Sequence, residues 1–158
     1  MSKLLLAPLV VLLLAASANA ETLHGQVVSI ADGDTITILD AQRQQHKIRL
    51  AQIDAPEKSQ PFGMRSKQSL SDLAFGKEAH ADCPDTDRYR RKVCRITIQN
   101  TDVNAEQLRR GMAWVYRQYA RNPAYYQLEE NARMARLGLW AEPQAVPPWE
   151  WRKQQRRK

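Results

Sequence analysis

Three acidic side chains follow neighbouring apolar segments, at the points where those segments end. Asp34 lies in a turn between the first two segments, and Asp54 and Glu57 follow the third. Carboxylate oxygens are hard ligands that suit Ca²⁺, which also accepts backbone carbonyls and waters. Arg49 precedes Asp54 by five residues and adds a positive charge. A cation, an acidic base and an arginine in one cleft fit a phosphodiester, because its negative charge must be neutralised while water attacks phosphorus.

Each of these features also has a purely structural interpretation. Asp32-Gly33 is typical of a hairpin turn, in which the glycine tolerates a positive φ. The Asp54-Ala55-Pro56-Glu57 segment is compatible with a strand exit, and Arg49 between two apolar residues is typical of a solvated strand face. The conjunction of all three features favours a functional cleft.

Short strands of alternating apolar residues are the elements that would position these side chains. The pattern predicts strands over residues 27–30, 36–39, 48–53, 78–82 and 93–98, and a helix over residues 63–75. The first three strands are expected to form an antiparallel meander, so the three carboxylates are expected to converge.

The C-terminal half is predicted to be helical. Asn104 can cap a helix that ends at Gly111, and Asn122, which is followed by a proline, can begin a second that ends at Gly138. Residues 143–158 contain three prolines and then a basic end, in which five of the last seven residues are Lys or Arg. We expect this segment to be a disordered, electrostatic tail.

Composition indicates one basic globular domain behind a leader. The chain has 158 residues and a formal net charge of +7, which favours a polyanion, an acidic surface or anionic lipid as partner. Lys3, an apolar run and Ala18-Asn19-Ala20 are typical of a signal peptide over residues 1–20, with an uncleaved membrane anchor as the alternative. We therefore expect Sec export to the periplasm or the medium, no stable membrane insertion after cleavage, and a monomeric domain over residues 21–142.

Cys83 and Cys94 are a candidate disulfide. An oxidising compartment would let them pair, and they could face each other if the polar stretch between them connects two strands of a hairpin. The alternative is two unrelated buried thiols. The histidines are scattered without zinc-type spacing, which argues against a zinc site.

The order and spacing of several motifs resemble the staphylococcal nuclease-like (thermonuclease) family over most of the chain after residue 20. The motifs are Asp32-Gly-Asp-Thr35, Ile48-Arg-Leu50, Asp54-Ala-Pro-Glu57, Asp87-Arg-Tyr-Arg-Arg91, Val103-Asn104 with Gly111-Met-Ala113, and Gly138-Leu-Trp140. The resemblance implies an α+β fold, an OB-fold five-stranded antiparallel β-barrel with three α-helices.

The resemblance also implies a metal site and a reaction. One Ca²⁺ would be held by Asp34, Asp54 and the backbone carbonyl of Ala55. Glu57 would be the general base. The implied activity is hydrolysis of DNA and RNA, with single strands preferred, at the 5′ P–O bond to leave 3′-phosphate ends.

Arginines and tyrosines complete the implied site. Arg49 and Arg91 would brace the phosphate oxygens, with Arg88 and Arg90 as alternatives to Arg91, since Arg90 stands where the family usually has glycine. Substrate contacts are implied for Arg88, Tyr89 and Tyr119. The alternative function is a non-catalytic OB-fold module that binds nucleic acid outside the cytoplasm.

Overall fold

The computed structural model describes residues 21–157, and the predicted signal peptide, residues 1–20, lies outside the described residues. Eight strands occur in this part of the chain. They are β1 (Glu21–Ile30), β2 (Thr35–Leu39), β3 (Gln45–Leu50), β4 (Ile53–Asp54), β5 (Glu78–Thr86), β6 (Lys92–Ile98), β7 (Thr101–Asp102) and β8 (Trp114–Val115).

Five of these strands close into a barrel. The sheet order is β3-β2-β1-β5-β6 with antiparallel neighbours, and a parallel pairing of β3 with β6 closes it, joining Ile48 to Lys92 and Leu50 to Cys94. Alternate residues of each strand point inward, as the sequence pattern requires, and the core contains Val27, Ile36 and Ile48, all fully buried. The expected α+β, OB-like barrel is confirmed.

Four α-helices surround the barrel in the described residues, one more than the sequence predicts. They are α1 (Gly63–Ala74), α2 (Val103–Arg109), α3 (Pro123–Met134) and α4 (Pro148–Gln155), and a single 3₁₀ turn covers Gly138–Ala141. No helix within residues 21–157 is long and apolar enough to cross a lipid bilayer.

The beginning of α2 differs from the sequence expectation. Asp102 caps this helix by accepting from the Ala105 N–H (2.9 Å). Asn104 is instead fully buried, donates to the carbonyls of Ala51 and Cys94, and accepts from the Ile96 N–H. A buried amide needs several partners, and here it ties β6 to the loop after β3. Asn122 caps α3 by accepting from the Ala124 N–H, in agreement with its predicted role.

The tail over residues 143–158, expected to be disordered, contains α4. Proline is tolerated in the first helical turn, and Pro148 occupies that position. Glu150 lies in the first turn and Arg152 and Lys153 in the last, which suits the helix dipole. Trp149 packs against aromatic side chains of the domain. Basic composition alone could not indicate this packing, which supplies most of the stability of so short a helix.

Cys83 and Cys94 form a disulfide between β5 and β6, with a Cα–Cα distance of 4.1 Å. Both residues are buried in the barrel core. The bond links strands that are also joined by backbone hydrogen bonds, so it reinforces the antiparallel pairing of β5 with β6.

Candidate active site

Arg49 brings two of the predicted carboxylates together. It lies on β3 opposite Thr35, the first residue of β2, and its Nη1 lies 2.9 Å from Asp34 Oδ2. Its Nη2 donates to Asp54 Oδ1, also at 2.9 Å. The Arg49 side chain is 12% exposed, and both aspartates are buried. One guanidinium therefore bridges two carboxylates from different loops, a geometry that suits the planar fork of arginine.

The turn that carries Asp34 is held by close packing. A Cβ added at Gly33 would lie 1.9 Å from Ser66 Oγ of α1, so this position has no room for a side chain. Gly33 does not have a positive φ, so the close approach of Ser66, rather than backbone freedom, explains why glycine occupies this position. Gln107 Nε2 of α2 donates to the carbonyls of Gly33 (2.8 Å) and Ser66 (3.1 Å). Two helices thus fix the position of Asp34.

The second acidic loop is tied to the first. The Ala55 N–H donates to Asp34 Oδ2 at 2.6 Å. Asp54 pairs with Trp114 in the small β4–β8 sheet, and the Glu57 N–H donates to Gln60 Oε1 (3.2 Å). Glu57 is half-exposed, whereas Asp54 is buried. The loop therefore offers one shielded carboxylate and one that solvent or a substrate can reach.

Burial raises the pKa of Asp34 well above that of an ordinary carboxyl. The nearby Arg49 charge opposes this effect and lowers the pKa of Asp34, whereas Asp32 and Asp54 raise it further. The Ala55 N–H lowers the pKa again by bonding to the ionised form. The local surroundings of Asp34 favour a compensating positive charge.

The structure places Arg91, rather than Arg90, beside the acidic residues. Arg91 Nη1 donates to Thr35 Oγ1 (3.3 Å), and that hydroxyl in turn donates to Asp34 Oδ1 (3.2 Å). Its Nε donates to Asp87 Oδ2 at 2.8 Å. Arg90 is exposed and has a φ of 63°, the left-handed conformation that glycine adopts without cost.

The predicted substrate contacts lie on exposed loops. Tyr89 is 64% exposed, and the Arg88 guanidinium lies 4.8 Å from its ring centroid. Tyr119 is 54% exposed and packs edge-on against Tyr116 at 4.8 Å. Tyr125 is buried, and its hydroxyl donates to Asp102, so this residue packs the domain.

One residue of the site lies outside the sequence predictions. Arg152, on α4, donates from Nη2 to Asp54 Oδ2 (2.8 Å) and from Nη1 to Glu57 Oε1 (2.8 Å). The sequence offers only a weak signal for it, a Pro147-Pro148-Trp149 segment that can begin a helix one turn before Arg152. Its contacts with Asp54 and Glu57 span 98 and 95 residues of the chain, which no local pattern can indicate.

The donor set suits Ca²⁺. Within residues 21–157, no three His, Cys, Asp or Glu side chains are grouped closely enough to hold a metal by themselves. The predicted set needs only two carboxylates, those of Asp34 and Asp54, which share the Arg49 guanidinium. Ala55 adjoins both aspartates, because it follows Asp54 in the chain and its N–H donates to Asp34. Carboxylate and carbonyl oxygens are hard donors, and Ca²⁺ completes such a set with water.

Comparison with known proteins identifies the family. The family described as staphylococcal nuclease homologue matches residues 47–142. An uncharacterized endonuclease of Haemophilus influenzae is 42% identical over 98% of this chain and 87% of its own length. A micrococcal nuclease of Shigella flexneri is 42% identical over 91% of this chain and 88% of its own length. The protein ParB of Escherichia coli is 43% identical over 94% and 89%. With its closed barrel, its bridged aspartates and these relatives, the chain belongs to the staphylococcal nuclease family.

Proposed function

We propose that the chain is an exported, Ca²⁺-dependent nuclease. It acts as a monomer and hydrolyses phosphodiester bonds of DNA and RNA, with single strands preferred, at the 5′ P–O bond to leave 3′-phosphate ends. The nuclease class follows from the family and from relatives named endonuclease and micrococcal nuclease. The observation that carries the calcium site and the cleavage reaction is the Arg49 bridge between Asp34 and Asp54, with Glu57 joined to Asp54 through Arg152.

Each residue of the site has a separate role in the proposed reaction. Bound by Asp34, Asp54 and the Ala55 carbonyl, Ca²⁺ would neutralise substrate charge and lower the pKa of water. Glu57 accepts a proton from the attacking water, whose oxygen forms the new bond to phosphorus. The bond to the 5′ oxygen breaks, and that oxygen takes up a proton from solvent. Arg49 and Arg91 stabilise the charge that develops on the phosphoryl oxygens.

Exposed groups around the site support a substrate that is read without regard to sequence. Tyr89 and Tyr119 offer ring faces on which bases can stack, and Arg88 adds a charge for the backbone. Stacking tolerates every base, since each has a π-face. The preference for single strands follows, because stacked duplex bases are not available to these rings.

Export is supported by the disulfide and by the sequence of residues 1–20. Disulfides persist in oxidising compartments and are rare in the cytosol, and Cys83 is bonded to Cys94. We propose on these grounds that the protein works in the periplasm or outside the cell. Cell fractionation tests this, and recovery of the full-length chain in the cytosol with both thiols reduced would contradict it.

The activity is tested by incubating the purified protein with denatured DNA and with RNA, in Ca²⁺ or in EGTA. We expect both polymers to be cut in Ca²⁺ only, and the fragments to carry 3′-phosphates that phosphatase removes. Cleavage that persists in EGTA would exclude the calcium assignment, and 5′-phosphate ends would exclude the proposed bond. Binding of both polymers without cleavage in either buffer would instead support the non-catalytic module.

A further inference from the structure

Helix α4 places a guanidinium on the two carboxylates that the proposed reaction uses. Arg152 engages both oxygens of Asp54, with Nη2 at 2.8 Å from Oδ2 and Nη1 at 3.3 Å from Oδ1, and its Nη1 also lies 2.8 Å from Glu57 Oε1. Asp54 is a predicted metal ligand and Glu57 the predicted base. The Arg152 side chain therefore binds the carboxylates of both the predicted metal ligand and the predicted base.

The segment that leads into Arg152 is anchored to the domain at two points. Trp149 lies parallel to the Tyr116 ring, with an interplanar angle of 4° and centroids 5.8 Å apart, and packs edge-on against Trp114. Gln60 Nε2 donates to the Val146 carbonyl at 2.6 Å, just before the helix. These contacts hold Arg152 over the acidic residues. They also cover Tyr116, which packs against the predicted stacking residue Tyr119.

The Arg49 and Arg152 guanidiniums differ in how easily each can be displaced from Asp54. The Arg49 side chain is 12% exposed and lies on a barrel strand, whereas that of Arg152 is 37% exposed and lies on a helix of eight residues. Solvent reaches the Arg152 guanidinium more readily than that of Arg49, so Arg152 is the guanidinium that a competing cation can replace more easily. A divalent ion on Asp54 competes with both guanidiniums for the carboxylate oxygens and repels them, and Arg152, the more exposed of the two, is the one that it displaces.

We propose that α4 is an autoinhibitory latch: Arg152 competes with Ca²⁺ for Asp54 and Glu57, and the site becomes competent only when the cation displaces it. This inference rests on the proposed function, since it concerns the regulation of that site. The latch keeps the carboxylates neutralised without metal and raises the Ca²⁺ concentration that activity requires. The full-length chain is thereby restrained at low Ca²⁺.

Calcium binding to full-length variants tests the latch independently of catalysis. Calorimetric titration of Ca²⁺ compares wild type, Arg152→Gln, and Arg152→Lys, which keeps the charge but loses the fork. Lys153→Gln is the matched control, because it removes one charge from the same helix and pairs only with Glu150 among the described residues. We expect Arg152→Gln to bind Ca²⁺ about tenfold more tightly than wild type, Arg152→Lys to be intermediate, and Lys153→Gln to stay within about twofold of wild type.

The outcomes separate the latch from the proposed function. Affinity in Arg152→Gln that equals or falls below that of wild type, while wild type still cleaves in Ca²⁺, overturns the latch alone and leaves the proposed nuclease function standing. An equal gain in Arg152→Gln and Lys153→Gln also overturns it, because the gain is then a general charge effect. Absence of Ca²⁺ binding in every variant overturns the calcium site and the latch together.

Discussion

Two guanidiniums hold the buried carboxylate of Asp54. Its carboxylate accepts from Arg49 on one side and from Arg152 on the other, and it is 1% exposed. The sequence indicates Asp54 and Arg49 because Asp54 directly follows a predicted strand that contains Arg49. It could not indicate Arg152, because that contact depends on how a distant helix packs.

Arg49→Lys tests whether the bridge needs a fork. A lysine is a point charge and cannot contact Asp34 and Asp54 with two nitrogens held in one plane. We expect kcat to fall about a hundredfold or more. Steady-state kinetics measures this, with the exposed Arg95→Lys as control. Turnover in Arg49→Lys close to that of the control would show that charge alone suffices.

Glu57→Gln tests the general base. The amide keeps the shape of the side chain but cannot accept the proton, so we expect turnover to fall about a hundredfold or more while nucleic-acid affinity is retained. Cleavage rates and gel shifts in EGTA give the two quantities. The exposed Glu130→Gln is the control. Undiminished turnover would exclude Glu57 as the base.

Among the elements, the strands of the barrel can be predicted from their alternating apolar and polar residues, whereas the closure of the barrel cannot. The periodicity indicates β1, β2 and β3 because one face of each is buried. The two-residue strands β4 and β8 are too short to show a period. The parallel β3–β6 pairing depends on the whole barrel. The same is true of the α2 cap, which is Asp102 because Asn104 is buried between β6 and the loop after β3.

Gln107→Ala tests how α2 holds the Asp34 turn. The change leaves the buried carbonyls of Gly33 and Ser66 without their side-chain donor, which costs about 1–3 kcal/mol of unfolding free energy. Urea unfolding measures it, and Gln127→Ala on the exposed face of α3 is the control. We also expect weaker Ca²⁺ binding. Stability equal to that of the control would contradict the clamp.

For the molecule as a whole, the disulfide links β5 to β6, and β6 is also the strand that closes the barrel against β3. Cys83 and Cys94 are 11 residues apart, and a closed loop of this size stabilises the fold by about 3 kcal/mol in the chain-entropy model. The sequence could indicate the pairing only as a candidate, since spacing does not show Cβ geometry.

Reduction is therefore expected to lower the free energy of unfolding by about 3 kcal/mol. Urea midpoints with and without reductant measure this. The Cys83→Ala, Cys94→Ala double variant should be insensitive to reductant, which controls for effects of the reagent. Two titratable thiols in the untreated protein would contradict the bond.

A calorimetric titration of Ca²⁺ into wild type, Asp34→Asn and the exposed control Asp72→Asn shows whether the bridged carboxylates hold the metal. A site that needs the bridged carboxylates predicts one Ca²⁺ per chain in wild type and in Asp72→Asn, and at least a tenfold loss of affinity in Asp34→Asn. Equal binding in all three proteins, or in none, would contradict it.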